Sequence, residues 1–391
     1  MSLRSLRWVA ACIFCAFLLG SFESAPRSAA QGGGGGVSDA RFARLAKGVN
    51  LPFWFWMGPA EAKQLETRFT DEEFAALRAM GLTHVRLPID WSFIADESAV
   101  DLLHADHLAA LDRAIERLFA ADLAVIIDLH AVPTPQAGQY SGALENDPKF
   151  LATFKRFWLS FAKHLSRFDP ERLFLAAMNE PTFQQDPSRW AAMQPEIVAT
   201  LREGAPDHTL IATGALWSSL ETLLRLTPLA DPNVIYEFHF YDPFAFTHQG
   251  ATWIGENPVT RLREVPFPPN ETAMTRLYNR KRNDPDALRA AQAYAEENWT
   301  PERITKRLAE AGAWAKKYGV RVICTEFGVY SEYAPPQDRA NWHGAVVKAL
   351  EGQGIGWTMW EYDRSFGLVT RYGKKVEVNR PLAEAMGLTL P

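Results

Sequence analysis

Two carboxylates stand apart in this 391-residue chain because each ends an apolar run: Phe174-Leu175-Ala176-Ala177-Met178-Asn179-Glu180-Pro181 and Val322-Ile323-Cys324-Thr325-Glu326-Phe327-Gly328. A carboxylate that follows a buried strand is costly to desolvate unless it has a task or a partner. Paired carboxylates across a cleft suit glycosidic bond cleavage, in which one protonates the leaving oxygen and the other stabilises or attacks the anomeric carbon. Arg86, His130, Asn179, His239, Tyr241 and Trp360 end apolar runs in the same way. An always-charged Arg86 near Glu326 would keep that group ionised, while burial and a negative neighbour would hold Glu180 protonated. Tyr241 is placed to orient the ionised glutamate, and Trp360 to give a sugar ring an apolar floor. No metal and no cofactor is expected, because the nine histidines are scattered without ligand spacing and no His-Glu-x-x-His occurs.

The elements that must position these groups follow from periodicity. Eight short apolar runs alternate with stretches of helical period: 45–51, 83–89, 123–130, 173–179, 209–213, 234–241, 320–327 and 355–360. Between them, Thr70-Asp71-Glu72-Glu73 reads as a capping box closed at Gly81, and Thr300-Pro301 as a capped helix start. Leu108, Leu111, Ile115 and Leu118 share one helical face, as do Phe150, Phe154, Phe157, Trp158, Phe161 and Leu165. The pattern predicts an α/β fold, a single (β/α)8 TIM barrel over residues 44–391, with catalytic groups at the C-terminal strand ends. Strands four and seven would face each other across its mouth. A doubly wound open sheet is the alternative, but Gly48-Val49-Asn50-Leu51-Pro52 lacks the G-x-G-x-x-G spacing of its nucleotide-binding form. Residues 242–299 are too long for a plain βα loop, so an enlarged loop or subdomain is expected over the mouth after strand six, with one or two short helices within 270–295.

At these residues the chain resembles glycoside hydrolase family 5, the cellulase family of the retaining (β/α)8 clan. The resemblance comprises Gly48-Val49-Asn50, Val85-Arg86-Leu87-Pro88, Asp128-Leu129-His130, Asn179-Glu180-Pro181, His239-Phe240-Tyr241, Thr325-Glu326-Phe327-Gly328 and Trp357 to Trp360, in order on the expected strands. It implies Glu180 as acid/base and Glu326 as nucleophile in a double displacement. It further implies that Asn179 binds the sugar 2-hydroxyl, that Arg86 and Tyr241 hold the nucleophile, and that His130 and His239 shape the catalytic subsite. The implied partner is a β-linked glucan, with endo-β-1,4-glucanase as the first expectation. A β-mannanase or an exo-β-1,3-glucanase would use the same catalytic set. A glucan-remodelling transglycosylase or a carbohydrate-binding protein is the different class, although a binding protein needs no proton donor beside a nucleophile.

Composition bounds the rest. The net charge of −5, with no basic block, argues against nucleic acid or anionic lipid as the main partner. The 24 Phe, 13 Trp and 10 Tyr either fill a core or line a surface for flat apolar ligand faces. Trp54 and Trp56 after strand one are candidates for distal sugar subsites or for rim packing; Phe244, Phe246 and Trp253 in the long loop are stronger candidates for ligand contact. Glu237 is expected to alternate outward, Cys324 to pack in the core, and His84, His164, His208 and His343 to be structural. Residues 1–30 read as a signal peptide, since the apolar run 8–19 falls short of the roughly 20 residues needed to span a bilayer. A secreted or periplasmic protein is expected, with no membrane span in the mature chain, a flexible Gly-rich lead-in over 31–43, and a monomeric state. Removal of the leader leaves Cys324 as the single cysteine, so packing alone must hold the fold.

Overall fold

The computed structural model describes residues 36–59, 61–134 and 140–390, so the expected leader lies outside the described residues. All eight apolar runs form parallel strands: β1 Lys47–Asn50, β2 His84–Asp90, β3 Ala124–Ala131, β4 Leu173–Ala176, β5 Thr209–Thr213, β6 Val234–Phe240, β7 Arg321–Phe327 and β8 Gly356–Met359. Each pairs with its sequence neighbours, and β8 closes on β1 through Lys47 opposite Trp357 and Val49 opposite Met359. The result is the closed (β/α)8 barrel that the alternation of patterns implies.

Two apolar regions hold it together. Inside the lower barrel, Leu45, Ala124, Ile126, Phe174, Ala176, Ile211, Ile235 and Ile323 form a plug. Outside, the alternate strand residues meet the helices. The helix Phe150–Leu165 buries Phe150, Phe154, Phe157, Trp158, Phe161 and Leu165, and three of those rings surround Trp91 at centroid distances of 4.5–6.3 Å. The helix Asp71–Ala79 starts at the expected capping box: Glu73 N–H donates to Thr70 Oγ1 and Thr70 N–H donates to a Glu73 carboxylate oxygen. The helix Pro301–Tyr318 is capped by Thr300 and ends at the left-handed Gly319. Among the described residues no helix is long and apolar enough to cross a membrane.

Two departures concern the ends of elements. The lead-in expected to be flexible as far as residue 43 is helical over Asp39–Ala43, because Ser38 caps it and Arg41 bonds to Glu171, the Asp207 carbonyl and Thr209 beneath the barrel. The enlarged segment after β6 carries the expected helices, Glu271–Lys281 and Pro285–Glu297, plus a short one over Phe244–Thr247. Its centre is apolar, with Phe246, Leu262, Val265, Phe267, Leu277 and Ala291 buried, and Gln249 ties two of its turns together by accepting from Val265 N–H and donating to Phe246 C=O. Phe246, expected at the ligand, belongs to this core.

Candidate active site

Above the apolar plug the barrel interior turns polar. Side chains alternate along a strand, so on β6 the residues two and four beyond Ile235, namely Glu237 and His239, project inward as Ile235 does. Glu237 is therefore fully buried inside the barrel and not directed outward. Its neighbour Phe238 packs on the outer, helix-facing side of the sheet, which reverses the expected alternation. On β7 strict alternation would send Glu326 outward with Cys324. A register shift intervenes, Phe238 pairing with Cys324 but His239 with Glu326, and the extra residue Thr325 turns Glu326 into the mouth.

Arg86 from β2 lies at the centre of a closed polar ring. Its guanidinium donates to Glu326 Oε1 at 2.6 Å, Asn50 Oδ1 at 2.9 Å and Asn179 Oδ1 at 2.6 Å, and pairs with Asp128 at 3.0 Å. Asp128 in turn lies 2.8 Å from His130 Nδ1, which leaves His130 Nε2 facing the Asn179 amide nitrogen at 3.4 Å. The Tyr241 hydroxyl donates to the other Glu326 oxygen at 2.9 Å. A buried charge is tolerated only when paired and hydrogen-bonded, and Glu326 has both. Burial alone would weaken the Arg86 proton affinity, but Asp128, Glu326 and Glu237 raise it above the usual guanidinium value.

Glu180, just beyond β4, is in a different setting. Its side chain is 13% exposed and its Oε1 lies 2.7 Å from His239 Nδ1. One oxygen of Glu180, one of Glu326 and a His239 ring nitrogen all lie within 4.8 Å of one another. Burial, and then the charge of Glu326, push the Glu180 carboxyl well above the usual carboxylate range, against the pull of Arg86. Burial, Arg86 and His130 push His239 well below the usual imidazole range, so it is neutral at neutral pH. Burial and the two glutamates likewise raise the Tyr241 phenol, which stays a donor. A carboxylate bonded to a guanidinium and a phenol, and a second carboxyl that burial keeps protonated a few ångströms away, can act as nucleophile and proton donor toward a bond lying between them.

Aromatic rings flank this pair on two sides. Trp56, His130, Tyr140 and Trp360 cluster together, with His130 and Trp360 stacked at 5.5 Å and Trp56 4.3 Å from His130. On the other side Phe244 stacks on His248 at 4.1 Å, and half-exposed Trp253 meets Tyr330 edge-on at 4.8 Å. Of the residues singled out in the sequence, Glu180, Glu326, Arg86, Asn179, His130, His239, Tyr241, Trp360 and Trp56 thus converge, with Phe244 and Trp253 at the rim. Trp54 does not: it is 1% exposed, donates to the Leu65 carbonyl, and packs among Phe55, Phe69 and Phe74. Sequence reasoning quoted Asn50 and Asp128 in its motifs without giving them a role, and missed Trp217. Asn50 and Asp128 were legible as polar residues within apolar strands. Trp217, 37% exposed, lies in a left-handed turn after β5 whose backbone N–H bonds the Pro181 carbonyl beside Glu180.

Comparison with known proteins bears on the same region. The family model described as cellulase (glycosyl hydrolase family 5) matches residues 45–365. Endoglucanase 3 of Fibrobacter succinogenes is 26% identical over 352 residues, which cover 85% of this chain but only 51% of that protein. Endoglucanase C of Acetivibrio thermocellus is 27% identical over 332 residues, 81% of this chain and 91% of that one. Among solved structures, Thermotoga maritima Cel5A in complex with cellobiose superposes with a TM-score of 0.71 at 23% identity, covering 88% of this chain and 97% of the other. The same enzyme has been solved with mannotriose, with a TM-score of 0.69 at 23% identity over 88% of this chain and 98% of that one.

Proposed function

The chain belongs to the cellulase family, glycosyl hydrolase family 5, and is an endoglucanase-like glycoside hydrolase; from that premise we propose that it cleaves β-1,4-linked glucan with retention of configuration, Glu326 being the nucleophile and Glu180 the acid/base. The observation that carries this reading is the unequal pair itself. Glu326 accepts from Arg86 and Tyr241 and is held for attack, whereas Glu180 lies largely enclosed beside neutral His239 and keeps its proton for the leaving oxygen. Their oxygens approach within 4.8 Å. Retaining enzymes place the two carboxyl groups about 5–5.5 Å apart, whereas inverting ones leave about 6.5–9.5 Å for a water molecule.

The steps follow from the contacts. Glu326 attacks the anomeric carbon from one face as Glu180 protonates the departing oxygen, giving a glycosyl-enzyme ester and a free sugar end. Glu180, now a carboxylate, takes a proton from water, which displaces Glu326. The Tyr241 hydroxyl and Arg86 receive the returning negative charge. Asn179, held through its carbonyl by Arg86, presents its amide N–H groups toward the sugar 2-hydroxyl. Trp360 and Trp56 form the apolar wall on which a ring lies, and Phe244 and Trp253 extend the aromatic surface on the other side.

A 2-deoxy-2-fluoro glycoside with a good leaving group should label Glu326 stoichiometrically. Glu180→Gln should lose about 10²–10⁴ in kcat/KM on cellulose derivatives. Labelling at another residue, or a Gln variant as fast as wild type on its best substrate, would overturn the assignment. Running mixed-linkage glucan, laminarin and mannan beside the cellulose derivatives fixes the linkage, and preference for mannan or laminarin would replace the β-1,4-glucan reading.

A further inference from the structure

Beneath the reacting pair the barrel holds a third glutamate to which the double displacement gives no part. Glu237 projects inward from β6, opposite Thr213 of β5 and Ile323 of β7 in register. It is wholly buried, and among the described residues neither carboxyl oxygen meets hydrogen-bond geometry, although the Thr325 hydroxyl on β7 acts on it to favour the charged form. The titratable groups that act on it come from the surrounding elements: Arg86 on β2, Asp128 on β3, Glu180 beyond β4, and Cys324 and Glu326 on β7, with His239 next above it on β6.

One guanidinium thus serves four carboxyls, three buried and Glu180 nearly so. Arg86 spends its terminal N–H groups on Asn50, Glu326, Asn179 and Asp128, and among the described residues it makes no ion pair with Glu237 or Glu180. A single cation cannot offset four desolvated anions, so protons must reside on the carboxyls it does not touch. We propose that Glu237 is a positioning residue acting through Glu180: protonated, it leaves the Arg86 guanidinium to Glu326 and Asp128, and once ionised it strengthens the hold of Glu180 on its proton, extending activity toward alkaline pH. The proposal rests on the roles given above to Glu180 and Glu326. The local electrostatics agree with the count of charges. Burial carries the Glu237 carboxyl up to about 8 despite the pull of Arg86 and of the Thr325 hydroxyl, helped by Asp128 and Glu326. The charge of Glu237 is in turn one of the causes that raise Glu180.

The test compares pH profiles of kcat/KM for wild type and Glu237→Gln, which keeps the shape and removes the titration. Without a carboxylate at 237, Glu180 should lose its proton about one pH unit earlier, so that the ratio of kcat/KM at pH 9 to that at pH 6 falls about tenfold further than in wild type. The acid limb should stay in place, since Glu237 is uncharged there. Glu237→Met, of similar length, should move the alkaline limb in the same direction. Profiles that superimpose after scaling overturn the proposal. So does failure of both variants to fold where wild type is stable, because a neutral replacement would then have removed an ionised structural partner. Labelling the same preparations with the 2-fluoro glycoside separates the two ideas. A label on Glu326 with an unmoved alkaline limb defeats this inference alone, and a label elsewhere defeats the catalytic reading.

Discussion

Trp54 and Trp360 both follow strands at the catalytic end of the barrel, and what each touches assigns them opposite jobs. Trp54 is enclosed by Phe55, Phe69 and Phe74 and bonded to a carbonyl, so Trp54→Ala should cost about 3–5 kcal/mol of stability while folded molecules keep their turnover. Trp360 is only part-buried and stacks on His130, so Trp360→Ala should lower kcat/KM about tenfold or more with little change in melting temperature. Thermal denaturation run beside kinetics checks both, and the assignment fails if the two variants exchange phenotypes. The same contrast explains what the residues disclosed in advance. A polar side chain that ends an apolar run has few reasons to be there, and so Glu180, Glu326, Arg86 and Tyr241 were legible. A carboxylate amid a strand buried on both faces carries no mark of which way it points, and there Glu237 was misplaced; Trp54, in the segment after β1, could be read either as a subsite or as packing, and packing is where it lies.

At the scale of elements, the eight strands could be read because each is a Val-, Ile- and Leu-rich run bounded by caps and turns, and the helices of the long sixth connection because Asn270 and Asp284 cap them. The bulge at Thr325 could not, since it exists only in the pairing of β7 with β6, and it is what turns Glu326 into the mouth. The short helix Asp39–Ala43 was masked by the glycine run before it, although Ser38-Asp39 is a cap signal. The barrel's closing seam has a further requirement. A Cβ on Gly356 of β8 would lie 2.2 Å from the Leu45 carbonyl oxygen, a backbone atom that can yield only if β1 shifts. Gly356→Ala should therefore destabilise by about 3 kcal/mol or more. Gly319, at φ +67° with nothing within 4 Å of its Cβ position, should cost only about 1–2 kcal/mol as Ala. Urea midpoints of the two variants measure the difference, and equal losses would mean that the seam can relax around a methyl group.

For the whole molecule, enclosing so many titratable groups makes stability depend on pH from two directions. Burial lowers His84, His248 and His343 to about 3, and His208 to about 4. Below about pH 6.5 the unfolded chain takes up protons that these rings refuse, so their contribution is lost as pH falls. Burial raises Glu237 and Glu361 to about 8 and Asp242 to about 6. These carboxyls keep protons that the unfolded chain releases above about pH 4.5, so their contribution is complete below that pH and drains away as pH rises through 8. Between the two unfolded values the histidines and carboxyls oppose each other. Above about pH 6.5 only the carboxyls still change. The melting temperature should be highest around pH 5–6.5 and fall by on the order of 5 °C by pH 8.5, a decline that calorimetry across this range measures directly. Replacing Glu237 and Glu361 together by Gln should flatten the alkaline side and leave the acid side in place. A melting temperature that rises steadily from pH 6 to 8.5 would mean that these carboxyls are ionised inside the fold, and the division of charge around Arg86 would then have to be drawn differently.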